Sequence, residues 1–315
     1  MKKFFKNAIF AGAAAAGIIS GYNRILNLTA NMSSNLSVNR GRFFNWRYGD
    51  IYYTKDGRGK PLLLIHDLNV CSSSYEWNKV IKRLAKKNTV YAIDLIGCGR
   101  SDKPNITYTN YLYVQLINDF IAKVIGRRTN VIATGKSLSF ILMSCKIEDK
   151  YINKIIAVSP ENIEKLASIP SKRRNCVKFI LDTPVYGTFV YNMLTTKRMI
   201  RNHILQESYY KKHLLSGDIV NAYYHAAKSY DGHGKYLLAS IKGNYVNVNI
   251  IPALQTSNHT ICLIGGKENP EIESILTEYK KYNSSIECLY IDRAKTLPQL
   301  EQPDKFLQLV EIVLG

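Results

Sequence analysis

Short, continuous apolar runs alternate with longer segments whose apolar residues have helical spacing along most of this chain. Pro61–Asp67 (PLLLIHD) and Thr89–Leu95 (TVYAIDL) are typical of strands buried on both faces, whereas Tyr111–Ile125 has the spacing of a helix. Two aromatic runs before them, around Gly49 and Asp50, predict a β-hairpin. The alternation predicts an α/β fold with a doubly wound, mostly parallel sheet that binds ligands at the carboxyl ends of its strands.

This rhythm of strands and helices breaks between residues 161 and 248, in a basic and tyrosine-rich stretch. We expect this stretch to form a helical cap inserted between two strands of the sheet. The sheet is predicted to resume at His259–Gly266 and Ile286–Asp292, and an amphipathic helix, Pro303–Leu314, closes the chain. The predicted core therefore has two parts on either side of the cap: residues 35–160 and residues 249–315.

Residues 1–34 form a separate N-terminal part, where an uncharged run rich in Ala and Gly extends from Asn7 to Asn23 before a polar linker. Because a spanning helix needs ~20 strongly apolar residues, three interpretations stay open: an uncleaved membrane anchor, a helix docked on the domain, and a signal peptide. The apolar part ahead of the small residues is too short for a convincing signal peptide. We favour a single N-terminal helix that attaches the protein to a bacterial cell membrane. Three lysines would then hold the N-terminus in the cytoplasm and place the body outside: Lys2, Lys3 and Lys6.

The formal charge of +19 comes from lysines and arginines that are scattered along the chain. Since the sequence also has no zinc-ligand spacing and no aromatic RNA-binding motif, we expect no nucleic acid partner; attraction to an anionic bilayer fits the N-terminus better. The cysteines have no metal or redox spacing, which predicts free thiols in a reducing compartment, with no metal and no cofactor. This compartment conflicts with a body outside the membrane, so the side stays open. The cysteines are Cys71, Cys98, Cys145, Cys176, Cys262 and Cys288.

A tight turn from strand to helix is predicted in TNVIATGKSLSF (Thr129–Phe140), where an apolar run meets Gly135 and then Ser137. The pattern matches the G-x-S-x-G nucleophile elbow of hydrolases, with Ser139 in place of the second glycine. Three further segments match the same class of proteins: LLLIHD, DLIGCGRSDKP and TLPQLEQP. With them the chain resembles the α/β-hydrolase superfamily, and within it the branch of haloalkane dehalogenases, epoxide hydrolases and small esterases.

The resemblance implies a Ser-His-acid triad, in which an imidazole takes the proton of the nucleophile and a carboxylate orients the imidazole. Ser137 stands at the nucleophile position, but Asn269 replaces the acid and Thr296 replaces the histidine. The oxyanion-hole N–H groups would be those of Leu138 and Leu68. The candidate substitutes for the missing partners are Glu161 as the acid and Lys295 or Lys136 as the base.

Asp67 is a further departure from the family, which has glycine after the histidine of LLLIHD. A carboxylate near the oxyanion-hole N–H groups would disfavour a developing negative charge. We therefore favour a membrane-associated, catalytically degenerate protein that binds a small apolar or acyl molecule under its cap. The alternative is an active serine hydrolase, similar to an esterase or lipase, that uses Ser137 with a non-standard base.

Overall fold

The computed structural model describes residues 17, 19–21, 23–24 and 41–315. The strands in this part of the chain are β1 Gly41–Trp46, β2 Gly49–Asp56, β3 Lys60–Ile65, β4 Asn88–Ile93, β5 Thr129–Thr134, β6 Ile152–Val158, β7 Thr260–Gly266 and β8 Glu287–Ile291. They form one sheet in the order β1-β2-β4-β3-β5-β6-β7-β8. β2 runs antiparallel to both of its neighbours, and the other pairs are parallel. This confirms the predicted doubly wound, mostly parallel sheet.

Helices connect the strands and cover both faces of the sheet. They are α1 Ile81–Leu84, α2 Asn110–Phe120, α3 Ser137–Ile147, α4 Ile163–Ala167, α5 Lys172–Asp182, α6 Val185–Leu194, α7 Lys197–His203, α8 Gly217–Lys228, α9 Gly234–Lys242, α10 Ile251–Thr256, α11 Ile272–Tyr282, α12 Pro298–Glu301 and α13 Pro303–Leu314. The closing amphipathic helix is thus confirmed as α13. The hairpin is confirmed as well, with Trp46 paired to Gly49 across its turn.

β3 lies between the two strands that follow it in the chain. Leu62 pairs with Val90 of β4 on one side and with Asn130 of β5 on the other. Because the connections leave β3 in opposite directions, its carboxyl end is a topological switch point, the place where open α/β sheets bind ligands. The loop that begins at His66 and the turn that follows β5 both lie at this end.

The side chains of β3 alternate between two apolar layers. Leu63 and Ile65 pack in the layer that includes α2 and α3, while Leu62 and Leu64 pack in the layer that includes α13. All four are fully buried, and each buried aliphatic side chain contributes about 1.5–3 kcal/mol. The loop after β3 therefore starts from a rigid base.

The six helices α4–α9, residues 163–242, separate β6 from β7 and are termed the helical insertion below. An apolar cluster joins Tyr223 of α8 to Leu297 and Leu300 of the core. This cluster places the insertion over the carboxyl ends of the strands.

Most of the predicted N-terminal part, and most of the predicted anchor with it, lies outside the described residues. The residues that are described between 17 and 24 are helical, and Asn23 is buried against the helical insertion. Its Nδ2 donates to the Val185 carbonyl at 3.3 Å, and its Oδ1 accepts from Asn192 Nδ2 at 2.9 Å. None of the helices in the described part of the chain has the length and apolar character needed to cross a bilayer.

Candidate functional site

The turn between β5 and α3 is as tight as the sequence predicts, but its strained residue is Gly135. Gly135 has a φ of +55°, in the left-handed region that favours glycine. Lys136 then has helical dihedrals, and α3 begins at Ser137. The position that lifts a side chain clear of the sheet in a nucleophile elbow therefore belongs to a residue without a side chain.

Ser137 does not occupy the exposed slot of this turn, so that part of the prediction is wrong. The residue is fully buried in the first turn of α3, and its Oγ donates a hydrogen bond to the His66 carbonyl at 2.6 Å. Leu138 follows within the helix and is fully buried as well. Ser137 thus ties α3 to the end of β3. In the described part of the chain, no imidazole, amine or carboxylate forms a hydrogen bond with its Oγ.

Asp67 fills the space beside Gly135. Its Oδ1 accepts a hydrogen bond from the Lys136 N–H at 2.8 Å, and the carboxylate also accepts one from the Leu68 N–H. A Cβ built on Gly135 would overlap with the same carboxylate. With the turn centred on Gly135, the N–H groups that would form an oxyanion hole are those of Leu68 and Lys136, and not that of Leu138. Both of them already bind the Asp67 carboxylate.

Two carboxyl groups share this region, which affects the protonation of both. Glu76 is buried, and its Oε2 accepts from the Asp67 N–H at 3.2 Å. Burial, and to a lesser extent the charge of Asp67, raises the pKa of Glu76 to about 8. Burial also raises the pKa of Asp67, although its N–H bonds and the Lys136 ammonium oppose the shift.

The candidate substitutes are occupied by other partners. Lys136 Nζ forms an ion pair with Glu161 Oε2 at 3.1 Å, and Lys165 approaches the other oxygen of Glu161 at 3.8 Å. The Lys295 N–H donates to Glu301 at 2.7 Å, and its Nζ donates to a carbonyl of the helical insertion. Neither lysine is bonded to Ser137.

The acid and histidine positions have local roles. Asn269 Oδ1 accepts from the Glu271 N–H at 3.2 Å, just ahead of α11. Thr296 Oγ1 donates to the Glu207 carbonyl at 3.3 Å, which joins this loop to the helical insertion. Both side chains thus organise loops, and neither carries a group that could exchange a proton at neutral pH.

The histidines and cysteines near the site are poorly suited to catalysis. His66 Nε2 accepts from the Leu95 N–H at 3.0 Å, while Nδ1 lies 2.7 Å from the Asp67 carbonyl. Burial lowers the pKa of His66, so the imidazole is neutral and both nitrogens are occupied. Burial raises the pKa of Cys71 to about 12 and that of Cys98 further, so both thiols stay protonated.

A groove of about 550 Å³ lies between the core and α8. Aromatic side chains from β1, β2 and the loop after β3 form much of its wall, including Phe43, Tyr52 and Tyr75. Arg100 adds a cation: its Nη1 donates to Tyr52 Oη at 2.7 Å, and its guanidinium carbon lies 4.9 Å from the centre of that ring. The groove is therefore largely apolar with one cationic wall.

Two other titratable groups, Asp94 and His225, line the groove. Asp94 accepts from the Ser74 N–H at 2.6 Å and from the Arg100 N–H at 2.8 Å, so both carboxylate oxygens are used by backbone. His225 has its pKa lowered by burial and by the nearby Lys197, which keeps it neutral at pH 7.

A second cavity, of about 470 Å³, lies closer to the acid and histidine positions. Glu268 and Lys295 of the core line it together with Tyr209 and Lys212 of the segment between α7 and α8. Its wall mixes charges of both signs, unlike that of the groove.

The sequence interpretation missed Gly135 as the centre of the turn and Arg100 as a wall of the groove, whereas it anticipated the Asp67 carboxylate near the oxyanion-hole N–H groups. For Gly135 a signal existed, because Ala133 and Ser137 are small residues two positions to either side of it. The elbow pattern therefore fits a centre at Gly135 as well as one at Ser137.

No family model matches the chain. Among curated proteins, it is 36% identical over 81 residues to the 2-hydroxy-6-oxo-6-(2'-aminophenyl)hexa-2,4-dienoic acid hydrolase of Metapseudomonas resinovorans, which covers 25% of this chain and 28% of that hydrolase. It is 39% identical over 59 residues to a haloalkane dehalogenase of Agrobacterium fabrum, 19% of each chain. The chain thus matches less than a third of the length of either relative.

Solved structures match over much longer stretches. A serine hydrolase involved in carbazole degradation superposes with a TM-score of 0.70 at 16% identity, over 87% of this chain and 98% of that one. A membrane phospholipase A, described as a bacterial virulence factor, superposes with a TM-score of 0.69 at 15% identity, over 100% of this chain and 98% of that one. At such identities the likeness concerns the fold alone.

Proposed function

We propose that this chain, which has the α/β-hydrolase fold, is catalytically degenerate and binds an apolar or acyl molecule between its core and its helical insertion, at a membrane. The observation that carries the loss of catalysis is the hydrogen bond of 2.8 Å from the Lys136 N–H to the Asp67 carboxylate. The fold is retained, while the turn that would hold a nucleophile and an oxyanion holds neither.

Gly135 takes the nucleophile position in this proposal. In a nucleophile elbow the serine sits on the strained residue of the turn, and the N–H of the next residue contributes to the oxyanion hole. The strained residue here is Gly135, with a φ of +55°, and the next N–H belongs to Lys136. Glycine has no group that can attack a carbonyl, so covalent catalysis at this turn has no nucleophile.

Asp67 would oppose catalysis even if another nucleophile were supplied. An oxyanion hole works because its N–H groups point at the place where negative charge develops, and here a carboxylate already occupies that place. Two negative charges about 4 Å apart repel each other by about 4 kcal/mol at the effective dielectric near a protein surface. That repulsion corresponds to a rate loss of about 10³.

A general base is also missing from the proposed site. Thr296 cannot take a proton at neutral pH, and the ammonium of Lys136 is stabilised by Glu161 at 3.1 Å. A Ser-Lys mechanism needs a lysine nitrogen within hydrogen-bond reach of the serine, whereas Lys136 Nζ is paired with Glu161 and Ser137 Oγ is bonded to the His66 carbonyl.

The groove between the core and α8 is the proposed ligand site. Its volume of about 550 Å³ falls within the range of small-molecule pockets. The aromatic wall suits the apolar part of a ligand. Arg100 suits a carboxylate head, because the hydrogen bond and the ring contact of its guanidinium are both made with Tyr52, which leaves the positive charge of Arg100 to pair with an anion. A fatty acid or a similar acyl anion has this combination of groups.

Association with a membrane is supported by the uncharged N-terminal run and by the charge of +19. The match to the membrane phospholipase A covers 100% of this chain, whereas the match to the carbazole-pathway hydrolase covers 87%. This comparison supports the anchor as a proposal.

Labelling with a fluorophosphonate probe tests the loss of catalysis. The wild-type protein and Ser137→Ala are treated side by side, with an active serine hydrolase as the positive control. We expect neither form of this protein to be labelled, because Ser137 is buried and bonded to a backbone carbonyl. Labelling that disappears in Ser137→Ala would establish the active serine hydrolase instead.

Calorimetric titration with dodecanoate and dodecanol tests the ligand site, since the two molecules differ in charge and not in chain length. We expect dodecanoate to bind about tenfold more tightly, and Arg100→Gln to remove that difference, because a charge-assisted hydrogen bond contributes about 1.5 kcal/mol. Phe43→Ala should weaken the binding of both ligands. Lys212→Gln, in the second cavity, is the matched control and should leave both affinities unchanged. If Lys212→Gln alone weakened binding, the ligand would occupy the second cavity and not the groove.

A further inference from the structure

Exposed apolar side chains are concentrated on one part of the helical insertion. Of the 16 large apolar side chains that are exposed on the described surface, eight lie within residues 169–199. The most exposed of them are Ile169 at 78% and Phe179 at 72%. This part of the surface is therefore much more apolar than the rest.

α5 separates its side chains into an inner and an outer face. Leu181 is buried, and Arg174 reaches Asn244 at 3.0 Å, so the face that carries both is the inner one. Cys176, Phe179 and Ile180 are exposed on the opposite side, at helical spacing. We refer to this outer side, with Lys172 and Arg173 at its start, as the α5 face.

The charge of the same region is strongly positive. Between Lys172 and His203 the chain has seven lysines and arginines and one acidic residue, Asp182. Asp182 is paired with Lys178 at 2.5 Å. The α5 face thus combines bulky apolar side chains with cations that Asp182 does not neutralise, as surfaces that bind anionic bilayers do.

The N-terminal part of the chain meets the insertion next to this face. Asn23 bonds to Val185 and Asn192 of α6, and α5 and α6 are joined by a two-residue connection. The uncharged run that the sequence predicts as an anchor therefore ends against α6, the helix that follows α5 after two residues. A membrane that holds the run would also be close to the α5 face.

We propose that the α5 face lies in the headgroup layer of an anionic bilayer, with Phe179 and Ile180 inserted and Lys172 and Arg173 beside lipid phosphates. The inference rests on the membrane association proposed above and adds which surface of the folded body touches the membrane. In this arrangement the helical insertion holds the folded body of the protein against the lipid, and the groove beside α8 lies within that body.

Cys176 makes this geometry measurable in the full-length protein. It is the cysteine that is exposed in the structure, and burial raises the pKa of the other five thiols, so an environment-sensitive dye should react with Cys176 first. The control carries Cys176→Ser and Ile312→Cys, which puts the dye on α13 at a position that is 75% exposed. Both proteins are mixed with vesicles of phosphatidylcholine, with and without phosphatidylglycerol.

We expect a blue shift and a severalfold rise in emission from Cys176 with phosphatidylglycerol vesicles, a smaller change with phosphatidylcholine alone, and none from position 312. Phe179→Ser with Ile180→Ser should lose the shift while the protein still sediments with vesicles. Sedimentation without a shift at Cys176 would overturn the α5 face and leave the N-terminal association intact. Absence of sedimentation would overturn both. A shift without vesicles that grows with protein concentration would mean that a second copy covers the face, and would also overturn the proposal.

Discussion

Replacing Glu76 by glutamine tests the electrostatics of the site. Glu76 is 1% exposed, and burial, with a smaller contribution from Asp67, raises its pKa from 4.5 to about 8. Since the pKa is higher in the folded state than in the unfolded chain, the folded state binds more protons between these two values. The free energy of unfolding must therefore fall as the pH rises through that window. At about 1.36 kcal/mol per pH unit, the loss is about 5 kcal/mol at most.

Glu76→Gln removes this titration and keeps an oxygen that can accept from the Asp67 N–H. Thermal unfolding is followed by circular dichroism between pH 5 and pH 8 for both proteins. We expect Tm to fall with pH in the wild type and to change much less in the variant, so that the variant is the more stable protein at pH 8. A difference of 1 kcal/mol corresponds to about 1.5 °C for a chain of this length, because the entropy of unfolding grows with the number of residues. Asp67 leaves a residual slope of the same sign, because its pKa is raised too.

Glu311→Gln is the matched control for this experiment. Glu311 is 59% exposed and pairs with Lys87 at 3.5 Å on the surface, so its loss should leave the pH dependence as it is in the wild type. Equal slopes in Glu76→Gln and the wild type would refute the reasoning, since Glu76 would then titrate alike in the folded and unfolded states.

Three further substitutions test other contacts of the site and the insertion. Gly135→Ala puts a Cβ on a left-handed residue and against Asp67, so chemical denaturation should show a loss of about 1–3 kcal/mol; Gly126→Ala, also left-handed but with open space around it, should lose less, and equal losses would exclude the overlap. Asp94→Ala leaves the Ser74 and Arg100 N–H groups without their acceptor and should lower the free energy of unfolding, measured by chemical denaturation, by about 2–3 kcal/mol. Asn23→Ala removes both bonds to α6 and should speed proteolysis ahead of residue 41 severalfold at an unchanged Tm.

The sheet could be predicted from the sequence because its strands are buried on both faces. The runs PLLLIHD and TVYAIDL became β3 and β4 with small shifts at their ends. Apolar spacing also predicts a helix over Trp77–Leu84, whereas the structure has a 3₁₀ turn, Ser74–Trp77, followed by the short α1. The Ser73 side chain caps that turn by accepting a hydrogen bond from the Tyr75 N–H. This bond favours the short turn over a longer helix, and the spacing of apolar residues gives no sign of it.

The centre of the elbow could not be predicted as securely. Small residues stand at 133, 135, 137 and 139, so two registers fit the pattern, and only backbone dihedrals distinguish them. The positive φ at Gly135 selects the register whose central residue has no side chain. The sequence shows that Asp67 stands where the family has glycine. Its hydrogen bond from the Lys136 N–H could not be predicted, because it depends on which residue is the centre of the turn.

The groove beside α8 was beyond prediction for another reason. Its walls come from β1, β2, loops of the core and a helix of the insertion, which are spread along the chain from Phe43 to Tyr230. Arg100 belongs to DLIGCGRSDKP, a segment that the resemblance uses to identify the fold, and the binding role proposed for its side chain depends on its contact with Tyr52.

The overlap between Asp67 and any side chain at position 135 also restricts how this lineage can change. A mutation that introduces serine at position 135 would place its side chain against the Asp67 carboxylate and lower stability. Such a mutation is tolerated only after Asp67 has been replaced by a smaller residue. That earlier step alone supplies no side chain at 135 that could attack a carbonyl, and Thr296 and Asn269 still stand at the histidine and acid positions. Under the proposed loss of catalysis, natural selection for activity would find no favourable first substitution, and the packing of Asp67 against Gly135 would make that loss hard to reverse.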